Sequence, residues 1–159
     1  MYSMDHRDLG TPPVDNAQTV TLEIDGQRVT VPVGTSVMRA AALVQKQIPK
    51  LCATDNLKAF GSCRLCLVEI EGRKGFPASC TTEVAAGMKI KTDSKALTRL
   101  RHGVMELYLS DHPAECLSDR APVRTEIKAM AQAIGVTENR YGVDGAQHTH
   151  LDEAAAEGE

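Results

Sequence analysis

From about Gln18 onward, apolar and polar residues alternate on both sides of Asp25-Gly26. A period of two is typical of half-buried β-strands, and Asp-Gly favours the two-residue turn of a hairpin. The pattern therefore predicts a β-hairpin. Its inward-facing positions are Val20, Leu22, Ile24, Val29, Val31 and Val33.

A helical pattern follows the hairpin. Thr35 or Ser36 can cap this helix, and Pro49 is expected to stop it. The positions predicted to face the core are Val37, Ala40, Ala41, Val44 and Ile48. Two short strands are predicted at residues 67–70 and 88–91, with a turn at 72–75. A hairpin followed by a helix begins a β-grasp.

Two further helices are predicted in the second half of the chain. Asp93 or Ser94 can cap the first, which His112-Pro113 ends. Its apolar face is predicted to hold Leu97, Leu100, Val104 and Leu107. The second spans Glu126–Ile134 and ends at Gly135. The expected fold class is α+β, a β-grasp domain followed by a small helical extension.

Composition completes this division of the chain. Residues 1–17 mix charge, Gly and Pro without periodicity and are expected to be a flexible N-terminus. The β-grasp domain is predicted at 18–93 and the helical extension at 94–143. Residues 144–159 are expected to form an acidic, disordered tail.

The overall composition is that of an ordinary globular protein, with 159 residues, 42% of them hydrophobic and 25% charged. A net charge of −3 and an aromatic content of 3% argue against a nucleic-acid partner. The apolar stretches are too short for a membrane span. Charged residues at 5–8 interrupt any secretory signal, so a cytoplasmic location is expected.

The strongest chemical signal is a set of four cysteines spaced C-x10-C-x2-C-x13-C. They are Cys52, Cys63, Cys66 and Cys80. Three clustered thiolates and a remote fourth follow the general plant-type layout of iron–sulfur ligands, although the first gap is longer. Gly61 would let the backbone curl closely around a cluster. We expect one [2Fe-2S] cluster, because the flanking sequence is typical of a ferredoxin-like β fold.

Two plainer interpretations of these cysteines remain open. Structural zinc usually takes its ligands as two short-spaced pairs, whereas this chain has one C-x-x-C and two isolated cysteines. Disulfides require an oxidising compartment. Arg64 and Lys58 are candidates to offset the charge of an anionic cluster, and the alternative for both is a solvated surface charge.

The motif Cys63-Arg64-Leu65-Cys66, with Cys52, Cys80 and the segment at 102–113, carries a family resemblance. It resembles the N-terminal part of the α subunit of NAD-dependent formate dehydrogenases that contain molybdenum or tungsten. That region is similar to the N-terminus of the large peripheral-arm subunit of respiratory complex I and to diaphorase subunits of NAD-reducing hydrogenases. The resemblance covers about residues 18–143. It implies a β-grasp ferredoxin whose four cysteines bind [2Fe-2S].

One departure from that family concerns a second cluster. The relatives bind [4Fe-4S] through an H-x3-C-x2-C-x5-C pattern, of which this chain keeps His112 and Cys116 but has Asp119 and Thr125 at the remaining places. A carboxylate and a hydroxyl are poor ligands for an iron–sulfur cube, so no [4Fe-4S] cluster is expected. A ligand supplied in trans, or another metal at His112, Cys116 and Asp119, stays open.

Two histidines in the tail, His148 and His150, are expected to be solvated, because a mobile His-Thr-His lacks supporting ligands.

The resemblance implies an electron-transfer subunit with no catalytic centre of its own. Its expected partners are the molybdenum or tungsten catalytic subunit of a formate dehydrogenase and a flavin- and NAD-binding diaphorase module. The second possibility is a subunit of a hydrogenase or complex I-like assembly. The third possibility is a zinc-stabilised module without redox function. The given sequence has no room for the family's further clusters or molybdopterin domain, so a separate subunit or carrier is expected.

Overall fold

A computed structural model of the protein describes residues 8–112, 126–137 and 140–141. The chain divides into two compact units, Met1–Thr98 and Arg99–Glu159. The predicted acidic tail and the positions of Cys116, Asp119, Thr125, His148 and His150 lie outside the described residues. The boundaries at 18–93 and 94–143 stay predictions. No helix within the described ranges is long and apolar enough to cross a membrane.

The predicted hairpin is confirmed. Strands β1 (Thr19–Ile24) and β2 (Gln27–Pro32) pair antiparallel, with Ile24 opposite Gln27. Asp25 and Gly26 form the turn between them with φ angles of 48° and 79°. Positive φ at both central residues matches the right-handed twist of the strands. The aliphatic face of the hairpin is buried at Leu22, Ile24, Val29 and Val31.

Two short strands complete a four-stranded sheet. Strand β3 (Glu69–Ile70) pairs antiparallel with β4 (Lys89–Lys91), and β4 runs parallel to β1, giving the order β2-β1-β4-β3. This small mixed sheet, together with the helices, confirms the α+β, ferredoxin-like fold. Strand β3 is shorter than predicted, because Leu67 pairs with Ala78 in an isolated bridge instead.

The helix after the hairpin, α1, spans Val37–Leu43, and Ser36 caps it. The Ser36 hydroxyl accepts a hydrogen bond from the Arg39 backbone N–H at 3.0 Å. The predicted end at Pro49 is wrong, because Gln45 adopts a φ of 61° and the chain leaves the helix. Ile48 is nevertheless buried, so the apolar pattern continued beyond the helix itself.

The segment before the hairpin makes specific contacts, although residues 1–17 were expected to be flexible. Thr11 is buried and shares a hydrogen bond with the Ser36 hydroxyl at 2.7 Å. Its carbonyl accepts a hydrogen bond from the Arg39 guanidinium. Asp8 forms an ion pair with Lys50 at 2.9 Å. The described part of this segment, residues 8–16, therefore packs beside α1.

Hydrogen bonds of Asp25 and Ser94 fix one end of the sheet. The Asp25 carboxylate accepts hydrogen bonds from the Thr92 backbone N–H at 2.8 Å and from its hydroxyl at 2.6 Å. Ser94 caps the next helix by accepting from the Leu97 N–H at 3.2 Å, and its hydroxyl contacts the Glu69 carboxylate. The hairpin turn and the exit from β4 are thus held together.

Helix α2 spans Lys95–Ser110. Its predicted apolar face is partly wrong, because Leu100 and Leu107 are 37% and 56% exposed. The positions that are buried instead are Leu97, Arg101, Met105, Glu106 and Leu109. Two charged residues belong to this face, and an apolar pattern cannot identify such positions.

The second unit holds a buried carboxylate. Glu106 is 1% exposed and accepts hydrogen bonds from Arg140, with 2.7 Å between Nε and Oε1. These bonds and the charge of Arg140 lower the pKa of Glu106 to about 2, although burial opposes the shift. Helix α3 spans Glu126–Ile134 and ends at Gly135, which has a φ of 84°, as predicted.

Replacing Asp25 with Ala should lower the free energy of unfolding by about 2 kcal/mol, because two hydrogen bonds to a carboxylate are lost. Asp25→Asn should cost less, since Asn tolerates the positive φ and keeps one acceptor. Denaturant midpoints of anaerobic protein measure both. The control is Asp15→Ala, at an exposed position before the hairpin. If the Asp25→Ala midpoint is no lower than that of the control, the hydrogen bonds between Asp25 and Thr92 do not stabilise the fold.

The ion pair of Glu106 predicts a pH dependence. Because its folded pKa is depressed, the stabilisation is present above the ordinary value of 4.5 and is lost as pH falls toward 2. Glu106→Gln should melt below wild type at pH 7, and the gap should shrink as pH falls below 5. Glu126→Gln, at an exposed position in α3, is the control. A gap that stays constant with pH would argue against this pairing.

Candidate metal centre

The loop that carries the first three cysteines closes against the segment of the fourth. Gly61 has a φ of 71°, and a Cβ added there would lie 3.2 Å from Cγ2 of Thr81, next to Cys80. Glycine therefore serves both the backbone conformation and the close approach. Arg64, between the two central cysteines, also has a positive φ of 56° and is exposed.

The four thiols form two pairs. Sγ of Cys66 lies 3.4 Å from Sγ of Cys80, and these two residues are buried. Sγ of Cys52, which is half-buried, accepts a hydrogen bond from the backbone N–H of Cys63 at 3.3 Å. All four are free thiols. The structure thus brings together every cysteine that the sequence pattern singled out.

The thiols influence one another electrostatically. The hydrogen bond with Cys66, burial and the charges of Cys66, Cys52 and Cys63 raise the pKa of Cys80. The same hydrogen bond lowers the pKa of Cys66 to about 6, although burial opposes it. Burial is the largest of the causes that raise the pKa of Cys52. Four thiolates this close repel each other, and a bound metal centre would offset that repulsion.

The start of α1 fixes the segment that carries Cys80. The backbone N–H groups of Val37 and Met38 donate to the carbonyls of Thr82 and Ser79, at 2.8 and 3.1 Å. The first N–H groups of a helix have no partner within it, so these contacts satisfy donors that need one. The Ser79 N–H in turn donates to the Cys66 carbonyl at 2.9 Å. Backbone contacts therefore set the spacing of the Cys66/Cys80 pair.

A fully buried hydroxyl accompanies this pair, and the sequence pattern did not reveal it. Ser79 is 0% exposed, and its Oγ has no hydrogen-bond partner among the described residues. An unsatisfied buried hydroxyl beside the thiols is a feature that a bound group can satisfy. In the sequence, the position of Ser79 directly before Cys80 is the only indication of this hydroxyl.

The four thiols can supply the ligands of an iron–sulfur cluster. Within the described ranges, no three His, Cys, Asp or Glu side chains are placed as ligands of a single ion. The thiols lie as the pairs Cys52/Cys63 and Cys66/Cys80, and four cysteine thiolates are the ligand set of a [2Fe-2S] core. The residues present therefore fit such a cluster.

The surface around the thiols is open on one side. A groove of about 470 Å³ is lined by Cys80, Lys58 and the segment at 11–14, among others. Lys58 is exposed, as is Arg64, so both candidate charges face solvent. Leu57 and Phe60 expose 69% and 73% of their surface on the same loop. The thiols are thus enclosed by protein but lie close to an accessible surface.

Residues 17–95 match the family model of a 2Fe-2S iron-sulfur cluster binding domain. The chain is 38% identical over 137 residues to a subunit of the NADP-reducing hydrogenase of Solidesulfovibrio fructosivorans, covering 82% of this chain and 23% of that protein. It is 40% identical over 130 residues to a subunit of the NADH-quinone oxidoreductase of Mycobacterium bovis, covering 80% and 16%. This chain therefore spans less than a quarter of either relative.

A solved structure of an NAD+-reducing [NiFe]-hydrogenase in the H2-reduced state is also similar. The TM-score is 0.71 at 29% identity, over 79% of this chain and 53% of that chain. The relatives and the solved structure agree with the domain match. Residues 17–95 are a 2Fe-2S iron–sulfur cluster binding domain, homologous to domains of NADH-quinone oxidoreductases and of NAD(P)-reducing hydrogenases.

Proposed function

We propose that this chain is an electron-transfer subunit that holds one [2Fe-2S] cluster. The ligands would be the four thiols at Cys52, Cys63, Cys66 and Cys80. The observation that carries the proposal is that these four free thiols lie as two pairs within the segment that matches the 2Fe-2S domain. When bound, such a cluster takes up and releases one electron at a time.

The protein's own part is to hold the thiolates and to limit water at the cluster. Cys63, Cys66 and Cys80 are each less than 5% exposed, so the protein encloses most of the donor set. The backbone N–H of Cys63 donates to the Cys52 sulfur and favours its anionic form. The proximity of Cys52 and the groove beside Cys80 to the surface supports electron exchange with a partner bound there.

The surrounding assembly is proposed to be an NAD-linked oxidoreductase located in the cytoplasm. The relatives named above are subunits of a hydrogenase and of an NADH-quinone oxidoreductase, which supports redox partner subunits. A formate dehydrogenase complex rests on the resemblance of the cysteine motif and of residues 102–113. A hydrogenase or complex I-like assembly is the second candidate, and the names of the relatives favour it.

Isolation of the tagged chain with its partners separates these two candidates. Reduction of the cluster by formate in the isolated complex would support the first, and reduction by hydrogen or NADH without response to formate would support the second. A chain that co-purifies with no redox protein would contradict both.

Metal analysis tests the cluster itself. Anaerobically purified protein should contain about two irons and two acid-labile sulfides per chain, because the ligand set is complete for one [2Fe-2S] core. Dithionite reduction should give one paramagnetic resonance signal. Protein that contains zinc and no acid-labile sulfide would contradict the proposed electron-transfer function. A second signal with extra iron would show that a further cluster binds despite Asp119 and Thr125.

Cysteine substitutions test the ligand assignment. Cys63→Ser and Cys66→Ser should each abolish or strongly perturb the cluster, because a serine oxygen replaces a soft thiolate. Cys116→Ser is the matched control and should leave the visible absorption and iron content unchanged, since Cys116 belongs to the pattern at which no [4Fe-4S] cluster is expected. Bleaching of the control variant would show that Cys116 is a ligand after all.

A further inference from the structure

Ser79 is held rigidly beside the Cys66/Cys80 pair. Its backbone N–H donates to the carbonyl of Cys66 at 2.9 Å, and its carbonyl accepts from the N–H of Met38 at 3.1 Å. Its side chain is 0% exposed. Because the N–H and the carbonyl of Ser79 are both hydrogen-bonded and its side chain is excluded from solvent, few groups can reach the hydroxyl.

The Ser79 hydroxyl has no hydrogen-bond partner among the described residues. A buried hydroxyl without a partner destabilises the folded state, and an alanine at this position would avoid that cost. Such an atom in a well-packed site calls for an explanation, and one explanation is a group that binds beside it.

The Ser79 hydroxyl lies on the same side of the chain as the Cys66 sulfur. Leu67 and Ala78 form an antiparallel bridge, so Cys66 and Ser79 are the next facing pair, joined by the Ser79 N–H and the Cys66 carbonyl at 2.9 Å. Residues that face each other in an antiparallel pair direct their side chains to the same face. A thiol sulfur is a weak acceptor, whereas a thiolate accepts much more strongly.

We infer that the Ser79 hydroxyl donates a hydrogen bond to the Cys66 thiolate in the cluster-bound protein and raises the cluster's reduction potential. This inference rests on the proposed [2Fe-2S] function. Ser79 is then a tuning residue that touches a ligand rather than a ligand itself. Hydrogen bonds to cluster sulfurs are a recognised means by which a protein sets the potential.

The direction of the effect follows from charge. Reduction adds one negative charge to the cluster and its thiolates, so a donated hydrogen bond stabilises the reduced state more than the oxidised state. Removing one such bond should shift the reduction equilibrium about tenfold toward the oxidised form. For a one-electron couple, a tenfold change corresponds to about 59 mV.

The experiment is a redox titration of the cluster-loaded chain, followed by electron paramagnetic resonance. Ser79→Ala removes only the hydroxyl and should lower the midpoint potential by about 59 mV. Ser62→Ala is the matched control, because Ser62 also directly precedes a cysteine of the set but is exposed. The control should keep the wild-type midpoint. Iron and sulfide content, measured first on every sample, show that equal clusters are compared.

The outcomes are separable. Zinc instead of iron and sulfide in the wild type would overturn the proposed function and this inference with it. A normal cluster with the wild-type midpoint in Ser79→Ala would overturn only this inference, as would equal shifts in both variants. If Ser79→Ala binds no cluster, Ser79→Gly is titrated as a second variant without the hydroxyl. Loss of the cluster in both would show that the hydroxyl serves assembly rather than potential, and would overturn the inference.

Discussion

The hydrogen bonds at the start of α1 are the constraint on which the site depends. The N–H groups of Val37 and Met38 need partners, because nothing within the helix can accept from them. The carbonyls of Thr82 and Ser79 provide those partners. The segment between these two carbonyls contains Cys80 and no regular secondary structure. The hairpin and α1 therefore position a thiol that its own segment could not hold.

The two thiol pairs differ in how they are supported. The Cys66/Cys80 pair is tied by a backbone hydrogen bond from Ser79 and is buried. The Cys52/Cys63 pair is carried by the loop that Gly61 folds back, and Cys52 is half-buried. Cys52 is therefore the most exposed of the four thiols, and a groove lies beside Cys80.

Local patterns along the chain predicted most of this architecture. Alternation gave the hairpin, and the cysteine spacing named all four thiols that the fold brings together. The errors arose where contacts distant in sequence decide the outcome. Gln45 leaves the helix through a backbone conformation that periodicity does not encode. The buried Glu106 has its ion-pair partner, Arg140, 34 residues away in the chain. The burial of Ser79 depends on contacts with Cys66 and Met38, which a local pattern cannot show.

Burial also decides which residues can tune a cluster here. Lys58 and Arg64 carry full charges, but both are exposed, and water screens their effect to about 0–1 kcal/mol. Ser79 carries no charge, but its hydroxyl lies in an enclosed site, where water does not weaken a hydrogen bond to a charged group. In the proposed cluster-bound protein, the neutral hydroxyl is therefore expected to affect the reduction potential more than the two exposed charges do. Lys58 and Arg64 stand out in the sequence motif, whereas Ser79 is identified only by its burial.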